Sequence, residues 1–150
     1  MTLITNFKKL YQTDDYQWLL ETITLLKNKQ FNNLDIDNLI EELEDMGSEK
    51  RNAVKSLLEQ IIRHFLLLQY WNNEYERNRH HWEAEIISFR NQIEDRLTTN
   101  LRNYIENEKE KIYQRALKYI QRKTNNKLEL PKFCPYSLEE LLNEDYFPHP

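Results

Sequence analysis

The sequence predicts an all-α fold, a compact single-domain helical bundle of about five to six helices with a long central helix. The chain of 150 residues has one glycine, Gly47, so it has few tight turns of the kind that need a positive φ. Apolar residues recur at helical spacing through most of the chain. The one alternating segment, residues 127–130, is too short to support a sheet.

The first helix is expected near the N-terminus of the folded part. Residues 1–12 are expected to form a loosely packed N-terminal arm, and residues 13–148 a single all-helical domain. Thr13 is placed to cap the first helix, whose first turn carries Asp14 and Asp15 where the helix dipole favours acids. The apolar residues of this helix follow a helical period: Tyr16, Leu19, Ile23 and Leu26.

A short acidic helix is expected next. It begins at Asp35 or Asp37, and Gly47 stops it as the C′ residue. Ser48 then caps a separate helix. Three apolar side chains of the acidic helix are expected to face the core: Leu39, Leu43 and Met46.

The third helix, residues 48–71, is expected to be the longest and the central one because it has the widest apolar face. A fourth helix is predicted at about 79–98 and a fifth at about 100–124, each from its apolar period. Ser137 and Glu140 form a capping box, which predicts a last short helix.

Composition narrows the class of protein. Hydrophobic residues make up 39% of the chain and charged residues 31%, and the nine Tyr, six Phe and three Trp indicate a packed core with a charged exterior. The net charge of −4 argues neither for nor against nucleic acid. The single cysteine, Cys134, excludes an internal disulfide and any zinc site with two thiolates, and favours a cytoplasmic location. We expect no secretion signal, membrane span or cofactor.

The acidic helix is one place where chemistry could reside. Residues 35–50 contain seven acids and one base, and Glu41, Glu44 and Asp45 share a helix face. Clustered carboxylates can hold a hard cation or act as acid and base. His64 lies on the apolar side of the central helix and could transfer protons. The alternatives are a solvated acidic face and a structural histidine bonded to a carbonyl or a carboxylate.

The other histidines fail the tests for common metal motifs. A ferritin-like carboxylate bundle needs Glu-x-x-His on two helices, and no histidine here has an acid three residues before it. His81 and Glu85 share a helix face and could be two metal ligands. They could equally form an ordinary ion pair. No metal site is therefore expected.

The fifth helix carries a basic stripe, which consists of Lys111, Arg115, Lys118 and Arg122. Residues 109–132 contain eight bases and two acids. Such a stripe can follow a phosphate backbone, or it can pair with the acidic helix within the fold or across a dimer. Nearby tyrosines are compatible with base stacking, but aromatic residues at helical spacing are more often core.

Glu108 interrupts the apolar period of the same helix. Burying an unpaired carboxylate is costly, so a partner is expected: Arg115, or an arginine of another helix. The alternative is that this face of the helix is open and meets a partner protein.

Several segments together resemble the bacterial family called domain of unknown function 29. They are DYQW at 15–18, LIEELEDMG at 39–47, HFLLLQYW at 64–71, WEAEI at 82–86 and CPYSLEELL at 134–142. The resemblance covers roughly residues 11–148. It implies a small all-helical fold and no established activity, cofactor or catalytic residue.

The leading hypothesis for function is a non-enzymatic protein–protein interaction or regulatory module that binds another protein or itself. It is motivated by the missing catalytic motifs and by the segregation of acids at 35–49 from bases at 109–132. One alternative is a metal-dependent or acid/base enzyme that uses the acidic helix and His64. The other is nucleic-acid binding through the basic stripe.

Overall fold

The computed structural model describes residues 2–150, with side chains from residue 6 onward, and is all-α over that range. Its six helices are α1 (Thr2–Thr13), α2 (Asp15–Lys27), α3 (Ile36–Tyr70), α4 (Asn72–Arg96), α5 (Thr99–Lys123) and α6 (Leu138–Leu142). A short 3-10 turn spans Phe31–Asn33, and the described residues contain no strand. The all-α prediction with a long helix is confirmed.

The chain divides into two compact units, Met1–Ser48 and Glu49–Pro150. α3 contributes its residues 36–48 to the first unit and 49–70 to the second. The single-domain organisation expected for residues 13–148 stays a prediction. None of the helices in the described part of the chain is long and apolar enough to cross a membrane.

In the first unit, α1 and α2 pack around one tryptophan. Trp18 is 1% exposed, and the rings of Phe7 and Tyr11 lie 6.0 and 4.8 Å from it. The segment expected to be an arm is helical from Thr2. Its aromatic residues Phe7 and Tyr11 lie one helical turn apart, so both contact the Trp18 side chain. Its looseness stays a prediction, and Met1 lies outside the described residues.

The cap of α2 differs from the prediction by one residue. Asp14, not Thr13, is the N-cap, and its carboxylate accepts a hydrogen bond from the backbone N–H of Gln17 at 3.0 Å. The Thr13 hydroxyl donates instead to the carbonyl of Lys9 at 3.2 Å. Both Thr and Asp can cap a helix, but Thr13 is the last residue of α1, so the next residue, Asp14, is the N-cap of α2.

The predicted helix stop at Gly47 is wrong. α3 runs without a break for 35 residues through Gly47, which has no positive φ. The residues that do adopt a positive φ are Lys29, Asn125 and Asn126, at the ends of α2 and α5. Asparagine tolerates the left-handed region, so the turn at Asn125 and Asn126 needs no glycine. The acidic segment and the predicted third helix are therefore parts of one helix.

The second unit has a continuous apolar core. α3 contributes Val54, Leu58, Ile61, Ile62 and the run 65–68, and α4, α5 and the C-terminal segment cover them. Four residues on the predicted apolar periods of α4 and α5 are fully buried: Ile86, Ile93, Ile105 and Ile112. This unit therefore has the well-packed interior expected from the wide apolar face of α3.

The ends of the later helices follow local signals. Thr98 caps α5 by accepting a hydrogen bond from the backbone N–H of Leu101 at 3.2 Å. Ser137 and Glu140 form both bonds of the predicted capping box at the start of α6. α4 begins at Asn72, earlier than the predicted 79, because the chain turns at the single residue Trp71.

Candidate interaction surface

The exposed large apolar side chains are concentrated in the first unit. Among the described residues thirteen such side chains are exposed, and ten of them lie in residues 1–48. Five are on α2 and lie within one third of the helix circumference, a surface here called the α2 stripe: Tyr16, Leu19, Leu20, Ile23 and Leu26. The apolar period of α2 was predicted correctly, but its side chains are exposed to solvent.

A second group lies on the first part of α3 and is called the α3 stripe: Ile36, Ile40, Leu43 and Met46. Leu43 is 56% exposed and Met46 48% exposed, so the prediction that they face the core is wrong. Leu39 is half-buried. The inward side of this part of α3 is instead polar, because Asp35, Asn38 and Glu42 make its contacts.

One side of α2 is covered and the side next to it is exposed. Trp18 and Thr22 are buried on the first side, 1% and 2% exposed, while the α2 stripe is exposed on the second. The apolar side of an amphipathic helix is normally covered. Within the structure only one of the two sides of α2 is covered.

A polar anchor fixes α2 to the start of α3. The indole Nε1–H of Trp18 donates to Oδ2 of Asp35 at 3.2 Å, and the Asn38 amide donates to the same oxygen at 2.7 Å. Asp35 is 3% exposed, and its Oδ1 has no hydrogen-bond partner. The Tyr11 hydroxyl donates to Glu42 at 2.8 Å, and this carboxylate raises the pKa of Tyr11 to about 12. These contacts hold the helices that present both stripes.

The first unit is strongly acidic. Residues 1–48 contain nine Asp and Glu against four Lys and Arg, a net charge of −5, whereas residues 49–150 contain sixteen against seventeen, a net charge of +1. Glu41, Glu44 and Asp45 are exposed on the same part of α3 as the α3 stripe. They make no ion pair among the described residues. Of these three acids Glu44 lies beside the α3 stripe by the helical period, whereas Asp45 lies on the opposite side of α3.

A pocket of about 460 Å³ also lies in the first unit, between α1 and α2. Its apolar lining is Phe7, Leu10 and Leu25, and polar groups from Glu21 and Asn33 stand beside them. Its volume is within the range of small-molecule sites. It adds a concave apolar feature to a unit that already exposes two apolar stripes.

His64 is a partly buried histidine of the second unit. Its Nδ1 lies 2.7 Å from the carbonyl of Gln60, one turn back, so Nδ1–H is the donor. Burial lowers the pKa of His64, and the nearby charge of Glu85 opposes this. Glu41, Glu44 and Asp45 belong to the first unit. The acid/base site that would combine them with His64 stays a hypothesis.

His81 and Glu85 lie one turn apart on α4, and no ion pair joins them in the described structure. Both are close enough to His64 to act on its pKa, His81 lowering it and Glu85 raising it. Among the described residues no three His, Cys, Asp or Glu side chains are grouped so that they could hold a metal ion.

The basic stripe is exposed along α5, but two of its four residues are engaged. Lys111 Nζ lies 3.8 Å from Glu108, and Arg115 Nε donates to Glu59 at 3.0 Å. The expected Glu108–Arg115 pair is therefore not formed, because a carboxylate on α3 holds Arg115. Lys118 and Arg122 have no ion-pair partner among the described residues.

Glu59 is a structural residue that the sequence analysis missed. It is 8% exposed on the otherwise apolar face of α3 and binds both Arg63 and Arg115. The Arg63 guanidinium also lies 3.6 Å from the centre of the Tyr119 ring. An acid inside an apolar period was the available signal, but its partner Arg115 is 56 residues away in the chain.

Arg90 has a role in the fold that its sequence position alone did not reveal. It is 4% exposed and donates to three backbone carbonyls of the C-terminal segment: Leu141 at 2.8 Å, Glu140 at 3.1 Å and Tyr146 at 2.8 Å. Burial lowers the pKa of Arg90 to about 10. Its guanidinium thus ties the C-terminal segment to α4.

Comparison with known proteins places the chain in a family. No curated protein and no solved structure matches the chain. One family model matches residues 10–147 of the 150, and it covers the segments that carry the resemblance. The chain therefore belongs to the family described as domain of unknown function DUF29.

Proposed function

We propose that this protein is a non-enzymatic protein–protein interaction or regulatory module that docks a partner on residues 15–46. The observation that carries the proposal is the exposure of nine large apolar side chains in the α2 and α3 stripes. Exposed apolar groups at this density are typical of interaction surfaces, because a monomer gains nothing from keeping them in water.

The polar anchor supports the same proposal. Because Trp18, Asp35 and Asn38 hold α2 and the start of α3 together, both stripes are presented by ordered helices. An ordered surface loses little conformational entropy on binding. The proposed setting is a bacterial cytoplasm, in keeping with a chain that has a single cysteine.

The two other hypotheses have less support. Nucleic-acid binding would depend on the basic stripe, half of which is engaged with Glu59 and Glu108. The enzymatic hypothesis depends on His64, whose hydrogen-bond partner is a backbone carbonyl of its own helix.

The proposal is tested with the full chain and two variants that leave its charge unchanged. Leu19→Gln with Ile23→Gln removes the centre of the α2 stripe, and Ile87→Gln is the matched control, since Ile87 is 47% exposed on α4. Glutamine preserves helix propensity. We expect nuclease-treated native lysate to yield a protein bound by the wild type and the control, but not by the double variant.

Sedimentation velocity on the same three proteins tests self-association through the stripe. A wild-type chain that stays monomeric and retrieves no protein contradicts the proposed function. A partner retained equally by all three proteins also contradicts it. Material lost only on nuclease treatment would support the basic stripe instead.

A further inference from the structure

The α3 stripe has a shape that fits one kind of partner. Ile36, Ile40 and Leu43 follow the i, i+4, i+7 spacing of a helical seam, and each is about half exposed. A straight seam on one side of a helix is matched best by the apolar seam of a second helix. An extended strand would not match it, since the backbone of α3 is already hydrogen-bonded within the helix.

The charges beside the seam select the partner. By the helical period of α3, Asp37 and Glu44 flank the seam on one side, whereas Asp45 lies on the opposite side of the helix. Glu44 is exposed and makes no ion pair among the described residues, and Asp37 lies 4.0 Å from Lys8. Residues 35–50 as a whole contain seven acids and Lys50 as the only base. In paired helices the residues that flank the seam decide which helix is accepted. Acids on one side favour Lys and Arg on the other.

A second copy of this chain fits poorly by the same criterion. Two α3 stripes placed face to face would bring acids against acids, which is unfavourable. The basic α5 of a second copy has the right charge, but Tyr119 is the only large apolar side chain exposed on it in the described structure. It cannot fill an apolar seam.

We propose that the α3 stripe binds an amphipathic helix of another protein, whose apolar seam is flanked by lysine and arginine. The proposal rests on the proposed function and names the chemistry of its partner. The apolar seams supply the affinity, while the flanking charges supply the preference and the rate of association.

Two model peptides test the proposal on the full chain. Both are 18-residue helical peptides with leucine at seam positions; one has lysine at the flanking positions and its twin has glutamate. Fluorescence anisotropy measures their binding. We expect the lysine peptide to bind at least about tenfold more tightly than the glutamate peptide, a difference that shrinks as salt rises.

Three variants identify the surface. Ile40→Gln with Leu43→Gln is expected to abolish binding of the lysine peptide, and Ile87→Gln to leave it unchanged. Reversing the flanking charges (Asp37→Lys and Glu44→Lys) is expected to invert the preference toward the glutamate peptide. Far-ultraviolet circular dichroism of each variant establishes that it retains its helices.

The outcomes separate this inference from the proposed function. If both peptides bind equally, or if charge reversal leaves the preference unchanged, the proposal of a partner helix flanked by lysine and arginine is wrong. The α3 stripe would then be a docking surface that does not select its partner by charge. Absence of binding by either peptide overturns the inference, even if the α2 stripe retrieves a partner from lysate. Self-association abolished by Ile40→Gln with Leu43→Gln assigns the stripe to a second copy and also overturns it.

Discussion

Residues 1–48 and residues 49–150 bury their apolar side chains very differently. In the described structure the second unit contains twenty of the twenty-one buried hydrophobic residues, and the first unit contains only Trp18. The exposed large apolar side chains show the opposite distribution, with ten in the first unit and three in the second. The second unit is therefore stabilised by its own core, whereas the first keeps its apolar surface available.

Charge separates the same two regions. The first unit carries −5 and the second +1. A proposed partner that binds only the folded form of the first unit would stabilise that form by mass action. This difference is the basis for the proposal that the first unit docks a partner while the second unit holds the packed core.

The largest expected effect is in the core of the second unit. Phe65 is 0% exposed and packs edge-on against Tyr136 with ring centres 5.0 Å apart. Phe65→Ala should cost about 3–5 kcal/mol of unfolding free energy, measured by urea denaturation. Phe31→Ala is the matched control: Phe31 is 56% exposed, so its loss should change stability by less than about 0.5 kcal/mol. Equal losses of unfolding free energy in Phe65→Ala and Phe31→Ala would contradict the difference in packing between the two units.

An intermediate effect is expected at the anchor of the first unit. Trp18→Phe keeps a ring in place but removes the N–H that donates to Asp35, which should cost about 1–3 kcal/mol. Hydrogen exchange should increase in α1 and α2 and stay unchanged in α5. A double-mutant cycle with Asp35→Ala measures the coupling, and strictly additive effects would show that the bond contributes nothing.

A smaller effect, of opposite sign, is expected at Gly47. It lies inside α3, has no positive φ, and an added Cβ would meet no atom within 4 Å. Gly47→Ala should therefore stabilise the helix by about 0.5–1 kcal/mol, seen as a higher melting temperature. Asn126→Ala is the contrast, since a φ of 55° disfavours alanine and should destabilise the chain. If Gly47→Ala instead destabilises the protein, that result would support the interpretation of Gly47 as a helix stop.

The smallest expected effect is a pH dependence confined to the second unit. Burial lowers the pKa of His64 below its ordinary 6.5, so the unfolded chain binds this proton more readily than the folded one. The contribution of neutral His64 to the free energy of unfolding is complete above pH 6.5 and decreases as the pH falls below that value. His64→Gln should reduce this loss, measured as urea midpoints at pH 7.5 and 5.5. An identical loss in the variant would assign it to other groups.

Local features were predictable because they depend on neighbouring residues. The capping box of Ser137 and Glu140 and the cap at Thr98 are satisfied within one turn, and the structure contains both. Gly47 was misinterpreted because a glycine ends a helix only when the following residues cannot continue it. Here Ser48, Glu49 and Lys50 are all compatible with helix.

The candidate surface could be predicted only in part. The period of Tyr16, Leu19, Ile23 and Leu26 was evident, but a period shows that a face is apolar and not whether another element covers it. The same holds for Glu59, whose partner Arg115 is 56 residues away. Such pairings depend on where distant helices are placed.

The sequence by itself determined that this chain is all-α, where α5 and α6 begin, and which family it belongs to, because these follow from short-range periodicity, capping and motif spacing. Only the tertiary structure decided that the apolar face of α3 is buried at residues 54–68 and exposed at residues 36–46. The physical reason is that hydrophobic burial requires a second surface, and that surface comes from residues far away in the chain.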